Sequence, residues 1–456
     1  MYYIAAAFLL CAISAPSEKF NVLCPIFTAI QAGEIQRPFP TPRDSFSGPK
    51  PVPDTPVIAQ TTMLSPLPPE ILDLIVDFLH DEPDALRACC LVSRSWVHRT
   101  QEHLFAHVEF LSRSHTILWK EMFPDPSNSP ARHTRSLLIR ESTVVAFVDT
   151  DVGDWARAFD GVVRLDVDIC GFGSGRKISL VQLHGLSPTL KSLRLAYESS
   201  APSSEILSFV CSFPLLEDLA LVSLGGNSEI DEWNIPSTSP KFTGYLDLRM
   251  LGGTPPVVHR LLELPNGLHF SKISVACSGE DVGSMMMNLV SECSDTLEYL
   301  SIYYYIVGAV FLSAFMVGQY VNTIFWRIVE HSMPLLDLSK LTKLKDVVFG
   351  CTGPEIQRIT MTLQTAESIN LEQITIHSPT SFKELVVESD CPGWQDLDRL
   401  LLRFWTSHSI RPKIWYKDGE EEYDLRYLVP RIFPELTSRG LVDLIEYDWT
   451  FRTAIM

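Results

Sequence analysis

A recurring apolar pattern is the feature that most constrains how this 456-residue chain can fold. The pattern is apolar-x-x-apolar-x-apolar. Clear copies begin at Leu190, Leu216, Phe270, Leu297, Leu344 and Leu371, and weaker copies begin at Thr134, Val162 and Thr243. Successive copies start 26 to 28 residues apart, except for one step of 47. Because this period is typical of units that each add one strand to a parallel sheet, the sequence predicts a mixed α/β repeat protein.

The segments between copies fit a return by short helices. Residues 204–213 and 257–264 each have the apolar spacing of a short amphipathic helix. We therefore expect an irregular repeat solenoid over residues 131–390, in which a helix or irregular segment follows each strand. The C-terminal segment 391–456 is predicted to contain a helix with Leu397, Leu400, Leu401 and Phe404 on one face, a strand at 412–416 and a short helix that Pro434 opens and Gly440 closes. We interpret the whole segment as a cap over the last repeat.

Each predicted strand also has a second face. Successive side chains on a strand point to opposite sides, so residues between the apolar positions should line the concave face of a curved solenoid. Tyr and Arg are frequent at interface hot spots. We expect target binding from Arg164, Asp166, Asp168, Arg194, Tyr245, Asp247, Arg249, Tyr299 and Tyr303, beside Lys272, Asp346, Gln373 and His377. The alternative is a solvated polar face without a ligand.

The single long step contains an uncharged apolar run, residues 303–326. Its length alone is sufficient to span a bilayer. The same repeat resumes after it, however, and one sheet cannot continue across a membrane. Three interpretations stay open: a buried helical insertion, a transmembrane anchor, and translated intron sequence. On balance we do not expect membrane attachment.

Upstream of the repeats, three short helices are predicted within about forty-five residues. Pro68 and Pro69 suit the first turn of a helix, and Glu70 follows where the helix dipole favours an anion. A second helix should start near Pro83, and Ser93 can cap a third that includes Trp96. A domain this small is marginal without a partner or an attached domain.

These helices carry a resemblance to a known family. The runs Leu-Pro-Pro-Glu-Ile-Leu at 67–72 and Leu-Val-Ser-Arg-Ser-Trp at 91–96 resemble the F-box, which we place at residues 63–110. That module docks substrate receptors on the Skp adaptor of cullin-containing ubiquitin ligases. The resemblance implies adaptor contacts from Leu67, Pro68, Ile71, Leu72, Ile75, Leu79, Leu86, Val92 and Trp96.

The repeats in turn resemble the degenerate leucine-rich repeats of the large fungal families of F-box proteins. The asparagine that normally follows each strand is missing, so we expect an irregular solenoid. Residues 111–130 are rich in Pro and Ser at their end and are predicted to be a linker.

The N-terminal segment 1–62 does not fit a cytosolic receptor. An apolar run at 2–13 followed by Ser-Ala-Pro is similar to a secretory signal, but no basic residue precedes it. Met63 stands where an F-box chain could begin. We interpret residues 1–62 as a dispensable disordered tail or an over-extended gene model. Ten scattered cysteines without a Cys-x-x-Cys pair favour reduced thiols in a cytoplasmic and/or nuclear protein.

No catalytic site is predicted from the sequence. Gly171 to Gly175 lacks the spacing of a dinucleotide-binding loop, and His103 and His107 lack the His-Glu-x-x-His order of zinc proteases. We predict no catalytic residue, no metal and no cofactor. The net charge of −18 also repels phosphate backbones, so nucleic acid is not an expected partner.

The expected function is therefore an interaction. The resemblance implies a substrate-recognition subunit whose F-box binds a Skp-type adaptor, and through it a cullin, while the repeats bind an unidentified target protein. The alternative is a non-catalytic leucine-rich-repeat scaffold with no degradative role, which residues 303–326 could tether to a membrane.

Overall fold

The structure is a computed structural model, and it describes residues 68–140, 152–169, 180–186, 188–197, 203–223, 238–250, 256–277, 280–304, 335–350, 356–366, 369–377, 393–417 and 429–447. The chain divides into two compact units. The helical unit comprises residues up to 108 together with 117–134, and the sheet unit comprises 109–116 and the residues from 135 onwards. Leu67, the segment 1–62 and the apolar run after residue 304 lie outside the described ranges, so the predictions for them stay predictions.

The helical unit begins with three helices at the places that the sequence predicts. They are α1 (Pro69–Phe78), α2 (Pro83–Val92) and α3 (Arg94–Leu104). Proline stands in the first turn of both α1 and α2. The hydroxyl of Ser93 caps α3 by accepting from the backbone N–H of Ser95 at 3.3 Å. These start signals are local, which is why they can be identified without tertiary information.

A small hydrophobic cluster joins α1 and α2 in the helical unit. It is built from Val76 and Leu79 on α1 and from Ala85, Leu86 and Cys89 on α2, with Trp96 and Leu104 packed against it. Leu79 and Leu86 were predicted to contact the adaptor. Both side chains are buried in this core, so that prediction is wrong in its direct form: they hold α1 and α2 together and are not available to a partner.

The predicted linker at 111–130 is largely folded. It contains α4 (Arg113–Met122), and 3-10 turns follow at Pro126–Asn128 and Pro130–His133. Trp119 and Phe123 are buried, and each makes an edge contact with Phe105, with ring centroids 5.9 and 6.2 Å apart. Aromatic burial of this kind outweighs the turn-forming composition from which a linker was predicted.

The sheet unit combines parallel strands with short return segments, as a mixed α/β fold. After β1 (His107–Phe110), the strands are β2 (Ser136–Arg140), β3 (Arg164–Ile169), β4 (Ser192–Tyr197), β5 (Asp218–Ser223), β6 (Tyr245–Met250), β7 (Lys272–Cys277), β8 (Tyr299–Tyr304), β9 (Asp346–Gly350), β10 (Gln373–His377), β11 (Lys413–Lys417) and β12 (Asp443–Tyr447). The helices are α5 (Val152–Ala158), α6 (Ser203–Cys211), α7 (Pro256–Leu262), α8 (Glu280–Glu292), α9 (Ile356–Thr365), α10 (Gly393–His408) and α11 (Pro434–Ser438), with 3-10 turns at Leu180–Gly185 and Leu338–Lys340.

The strands form one twelve-stranded sheet in which spatial order follows chain order from β1 to β12. Pairing from β2 to β12 is parallel and aligns the apolar positions of the repeat. One ladder of aligned, buried side chains runs through Ile139, Val167, Leu195, Leu221, Leu248, Val275, Ile302, Phe349, Ile376 and Ile414. Crossovers between parallel strands almost always have the same hand, which predicts that the return segments cover one face of the sheet. The burial of the ladder side chains indicates that it lies on the covered face.

A repeated hydrogen-bond pattern marks the entry to each strand. Val163, for example, has a carbonyl that accepts from the N–H groups of both Lys191 and Ser192, at 2.8 and 3.0 Å. The same double acceptance recurs at Lys191, Gly244, Ser271, Glu298 and Lys345. This pattern matches the sequence period, because the first residues of each repeat donate their N–H groups to a carbonyl of the preceding repeat.

The entry to β6 departs from this pattern. Tyr245 donates its N–H to the Asp218 carboxylate at 2.7 Å instead of to a carbonyl. A side chain at Gly244 would overlap that carboxylate, so glycine is needed there. The predicted weak copy at Thr243 is consequently displaced by one residue: Thr243 is exposed, and Phe242 is the buried side chain.

The long step of the repeat leaves the sheet uninterrupted. Tyr299 of β8 is aligned with Asp346 of β9, and the Glu298 carbonyl accepts from Lys345 and Asp346 as in the shorter steps. The additional residues therefore lie between two directly paired strands. Among the helices in the described ranges, none has the length and apolar character needed to cross a bilayer.

The C-terminal segment differs from the expected cap. It adds β11 and β12 to the sheet in parallel, so it extends the ladder instead of ending it. Pro434 opens α11 as predicted, and the Asp398 carboxylate of α10 accepts from the N–H groups of Glu435 and Leu436 at 2.7 and 3.2 Å. Gly440 follows with a φ of 64°, a conformation that favours glycine.

Candidate interaction surfaces

The most prominent surface of the helical unit is an apolar stripe on α1. It consists of Ile71, Leu74, Ile75 and Phe78, which we call the α1 stripe. The spacing of i, i+3, i+4 and i+7 places all four on one side of the helix. Leu74 is 62% exposed and Phe78 is 86% exposed. Four large apolar side chains therefore face solvent together on one side of α1.

The stripe exists because α1 is apolar over about half its circumference. Val76 and Leu79 are buried and Leu72 is half-buried, so the core uses one side of the helix. The stripe occupies the adjacent side. Contiguous exposed apolar surface is uncommon on monomeric proteins and is typical of interaction sites.

The remaining predicted adaptor residues have different environments. Pro68 is exposed ahead of α1, and Val92 is exposed at the end of α2 beside Leu91. Leu72 and Trp96 are half-buried. Leu74, Phe78 and Leu91 were not among the predicted contacts, although all three are exposed. The signal for Leu74 and Phe78 was present in the sequence as the regular spacing from Ile71.

A group of charged residues fixes α1 against α3. Arg99 donates from Nε and Nη2 to the two carboxylate oxygens of Asp77 at 2.6 and 2.8 Å. His103 Nε2 lies 2.8 Å from the same carboxylate. The hydrogen bonds from Arg99 and then from His103 lower the pKa of Asp77 to about 2. Asp77 is therefore ionised at neutral pH, and its charge-assisted hydrogen bonds join α1 to α3.

A second candidate surface is the polar face of the sheet, opposite the apolar ladder. Asp166 and Arg194 occupy aligned positions of β3 and β4 and form an ion pair at 2.9 Å. Burial raises the pKa of Asp166 above its usual range, although Arg194 opposes this shift. Both side chains stay partly accessible, as do Arg164, Asp168, Tyr245, Arg249 and Tyr299. Seven of the nine predicted target-binding residues thus remain accessible.

The other two predicted residues are interior. Asp247 is buried and forms an ion pair with Arg249 at 2.9 Å, and Tyr303 is buried with its ring over Gly350 of the next strand. His377 is also buried, with ring centroids 5.5 Å from Tyr303 and 6.3 Å from Trp415. The prediction that Asp247, Tyr303 and His377 line an open face is therefore wrong. Strand alternation indicates which face a residue is on, but not whether that face is accessible.

Histidines and cysteines are the side chains with metal-binding or nucleophilic chemistry. His103 is engaged with Asp77, and His107 lies in β1, so these two do not form a pair. Instead, His98, Glu102 and His133 of the helical unit bring one ligand atom each to within 4.8 Å of one another.

Burial raises the pKa of the thiols of Cys90 and Cys211 to about 11 and of Cys293 to about 12, which keeps them protonated and poorly nucleophilic at neutral pH. The glycine-rich loop at 171–175 lies outside the described ranges.

Comparison of the sequence with protein-family models yields no match. Comparison with curated proteins yields no significant match either.

Proposed function

We propose that this protein is a substrate-recognition subunit of a Skp/cullin/F-box ubiquitin ligase. In this proposal the helical unit is an F-box that binds the Skp-type adaptor, and the sheet unit is an irregular leucine-rich-repeat domain that binds a target protein. The single observation that carries the proposal is the α1 stripe, which is exposed within the segment that resembles an F-box.

The composition of the stripe supports adaptor docking. Phe78 and Leu74 are the most exposed of the large apolar side chains of the described residues, and Ile71 and Ile75 extend the surface towards the Pro68 end of α1. A helix that places i, i+3, i+4 and i+7 anchors into an apolar groove is a common mode of recognition. The Asp77 carboxylate joins α1 to Arg99 and His103 of α3, and a helix that is already held in place loses less entropy on association.

The polar face of the sheet supports a role in target binding. It combines Arg194 and Asp166 with partly accessible Tyr245, Arg249 and Tyr299. Charges of both signs and tyrosines are suited to a protein surface and would confer specificity through complementary pairing. The subunit would contribute proximity between target and ligase and would break no bond itself.

The proposal is tested by co-expressing the full chain with a Skp-type adaptor and measuring the affinity of the complex. The variant is Ile71→Ala, Leu74→Ala and Phe78→Ala in one chain. Hot-spot truncations cost at least about 1 kcal/mol each, so we expect binding to weaken by about 100-fold or more. The substituted side chains are exposed, so the melting temperature should change little.

A matched control is the pair Ile117→Ala and Leu118→Ala on α4, which are also exposed apolar side chains of the helical unit. This variant should bind the adaptor as the wild type does. The proposal fails if the wild-type chain does not bind the adaptor, or if the stripe variant binds as tightly as the control.

A further inference from the structure

The cluster of His98, Glu102 and His133 is a second chemical feature of the helical unit, and adaptor docking does not use it. His98 and Glu102 are four residues apart on α3 and therefore share one side of the helix. His133 ends the 3-10 turn at Pro130–His133. One ligand atom of each residue lies within 4.8 Å of the other two, and the ring centroids of the two histidines are 5.2 Å apart.

We propose that these three residues form a binding site for Zn²⁺, and that the bound ion links α3 to the 3-10 turn. Two imidazole nitrogens and one carboxylate oxygen are a ligand set that Zn²⁺ accepts, with water completing a tetrahedron. Tetrahedral ligand atoms about 2.0–2.1 Å from the metal lie about 3.4 Å apart. Closing the cluster from a separation of at most 4.8 Å to about 3.4 Å requires a movement of no more than about 1.4 Å, which rotation of the exposed His98 side chain can supply.

The fixed side of the site is His133. Its side chain is buried, and the turn that holds it is capped by Ser129, whose hydroxyl accepts from the Ala131 N–H at 3.4 Å. Arg132 Nε donates to His133 Nε2 at 3.3 Å, so this nitrogen presents a lone pair. A neutral imidazole with a lone pair is the form that binds a metal. The Arg132 side chain is exposed and can leave when the metal arrives.

The carboxylate is positioned by Arg99. Arg99 Nη1 donates to Glu102 Oε2 at 2.6 Å, while Glu102 Oε1 faces His98 Nε2 at 3.9 Å. One oxygen is thus held by an outer partner and the other is directed towards the histidines, as in sites where hydrogen-bonded partners orient a ligating carboxylate. Arg99 also donates to Asp77, so the same side chain contacts both Glu102 of the proposed metal site and Asp77 of α1.

A metal ion here would close a loop of the chain between residues 98 and 133. Links that close long loops stabilise the folded state by restricting the unfolded chain. A ligand that binds only the folded form also raises its stability in proportion to the logarithm of its concentration. The helical unit is a small domain, and in small domains a single added link has a large effect on stability.

The test uses the full chain, Zn²⁺ as the probe for affinity and thermal stability, and Co²⁺ as a spectroscopic substitute. We expect one equivalent of Zn²⁺ to bind and raise the melting temperature, whereas Mg²⁺ has no effect because it prefers oxygen ligands. Loss of a residue that only hydrogen-bonds to a metal ligand weakens metal binding by about 10- to 100-fold. His98→Gln removes a ligand itself, so it should weaken zinc binding by at least about 100-fold. Glu102→Gln should do the same.

His107→Gln is the matched control, because His107 is an exposed histidine of the same unit outside the cluster. It should bind Zn²⁺ as the wild type does. The Co²⁺ spectrum should lack thiolate charge-transfer bands, which separates this site from the ten cysteines of the chain. The proposal is overturned if the wild type binds no Zn²⁺, if His98→Gln binds it unchanged, or if the cobalt ligands are thiolates. Adaptor binding by the α1 stripe is measured without metal and stands or fails separately.

Discussion

The α1 stripe and the apolar ladder of the sheet are both regular apolar patterns, yet they have opposite environments. Phe78 in the stripe is 86% exposed, whereas Phe349 in the ladder is fully buried. Phe349 has aligned, buried neighbours on both adjacent strands, Ile302 of β8 and Ile376 of β10. Among the described residues, the buried and half-buried neighbours of α1 come from α2 and α3 and pack against the side of α1 that carries Val76 and Leu79. The difference teaches that a period identifies the element and its faces, while burial depends on what else the chain supplies.

The largest expected effect comes from making the same substitution in both regions. Phe349→Ala should destabilise the protein by about 3–5 kcal/mol, because it removes a buried ring and leaves a cavity. Phe78→Ala should change stability by no more than about 0.5 kcal/mol, as for other exposed positions. Urea-induced unfolding of the two variants beside the wild type measures both values.

Adaptor binding should give the opposite ranking for these two variants. Phe78→Ala should weaken the complex, whereas Phe349→Ala should leave the affinity of the folded fraction unchanged. If Phe78→Ala destabilised the chain as much as Phe349→Ala, Phe78 would have to be part of a core. The two regions would then not differ in burial.

A second prediction concerns the part of the polar face that is interior. A side chain at Gly350 would overlap the ring of Tyr303, which is itself buried. Gly350→Ala should therefore destabilise the protein by about 1–3 kcal/mol through overpacking. The measurement is the unfolding midpoint of Gly350→Ala, of Tyr303→Ala and of the double variant.

The double variant provides the control for this interpretation. Removing the Tyr303 ring creates room for the new methyl group, so the two substitutions should be less than additive. Strict additivity would mean that the ring and Gly350 do not contact each other, and that this part of the face is open after all.

The smallest expected effect is the pH dependence of the contact that holds α1. The folded-state pKa of Asp77 is about 2, below its ordinary value of 3.8. Its ionised form therefore contributes stability above about pH 4, and this contribution is lost as the pH falls from about 4 towards about 2. Because the pair is partly exposed, the effect should not exceed about 1 kcal/mol.

Comparing the wild type with Asp77→Asn isolates the contribution of the Asp77 charge to stability. Their unfolding free energies should differ at pH 7 and converge as the solution is acidified. A difference that stays constant down to pH 3 would show that Asp77 acts by packing and not by charge.

Much of the fold could be predicted from local signals. The prolines at 69 and 83 and the hydroxyl of Ser93 mark helix starts, and the structure begins α1, α2 and α3 there. The apolar copies predicted strands, and the ladder from Ile139 to Ile414 confirms a mixed α/β fold with a parallel sheet. Both kinds of signal are short in sequence, and their physical cause acts within a few residues.

The errors have one common cause. Leu79, Leu86, Asp247 and Tyr303 were placed on the correct elements, but their burial depends on residues distant in sequence. The folding of residues 113–122 as a helix is similar, because Trp119 and Phe123 are buried against Phe105. The cluster of His98, Glu102 and His133 had no sequence signal beyond one i, i+4 pair, since the third residue comes from another element.

The sequence by itself therefore determined where the first three helices begin, the period of the sheet and the existence of an apolar side on α1. Local capping, proline geometry and side-chain alternation are sufficient for these. Only the tertiary structure decided that the stripe stays exposed, that Asp247 and Tyr303 are interior, and that three ligating residues meet. Burial and convergence are properties of surfaces brought together by folding, and no single segment contains them.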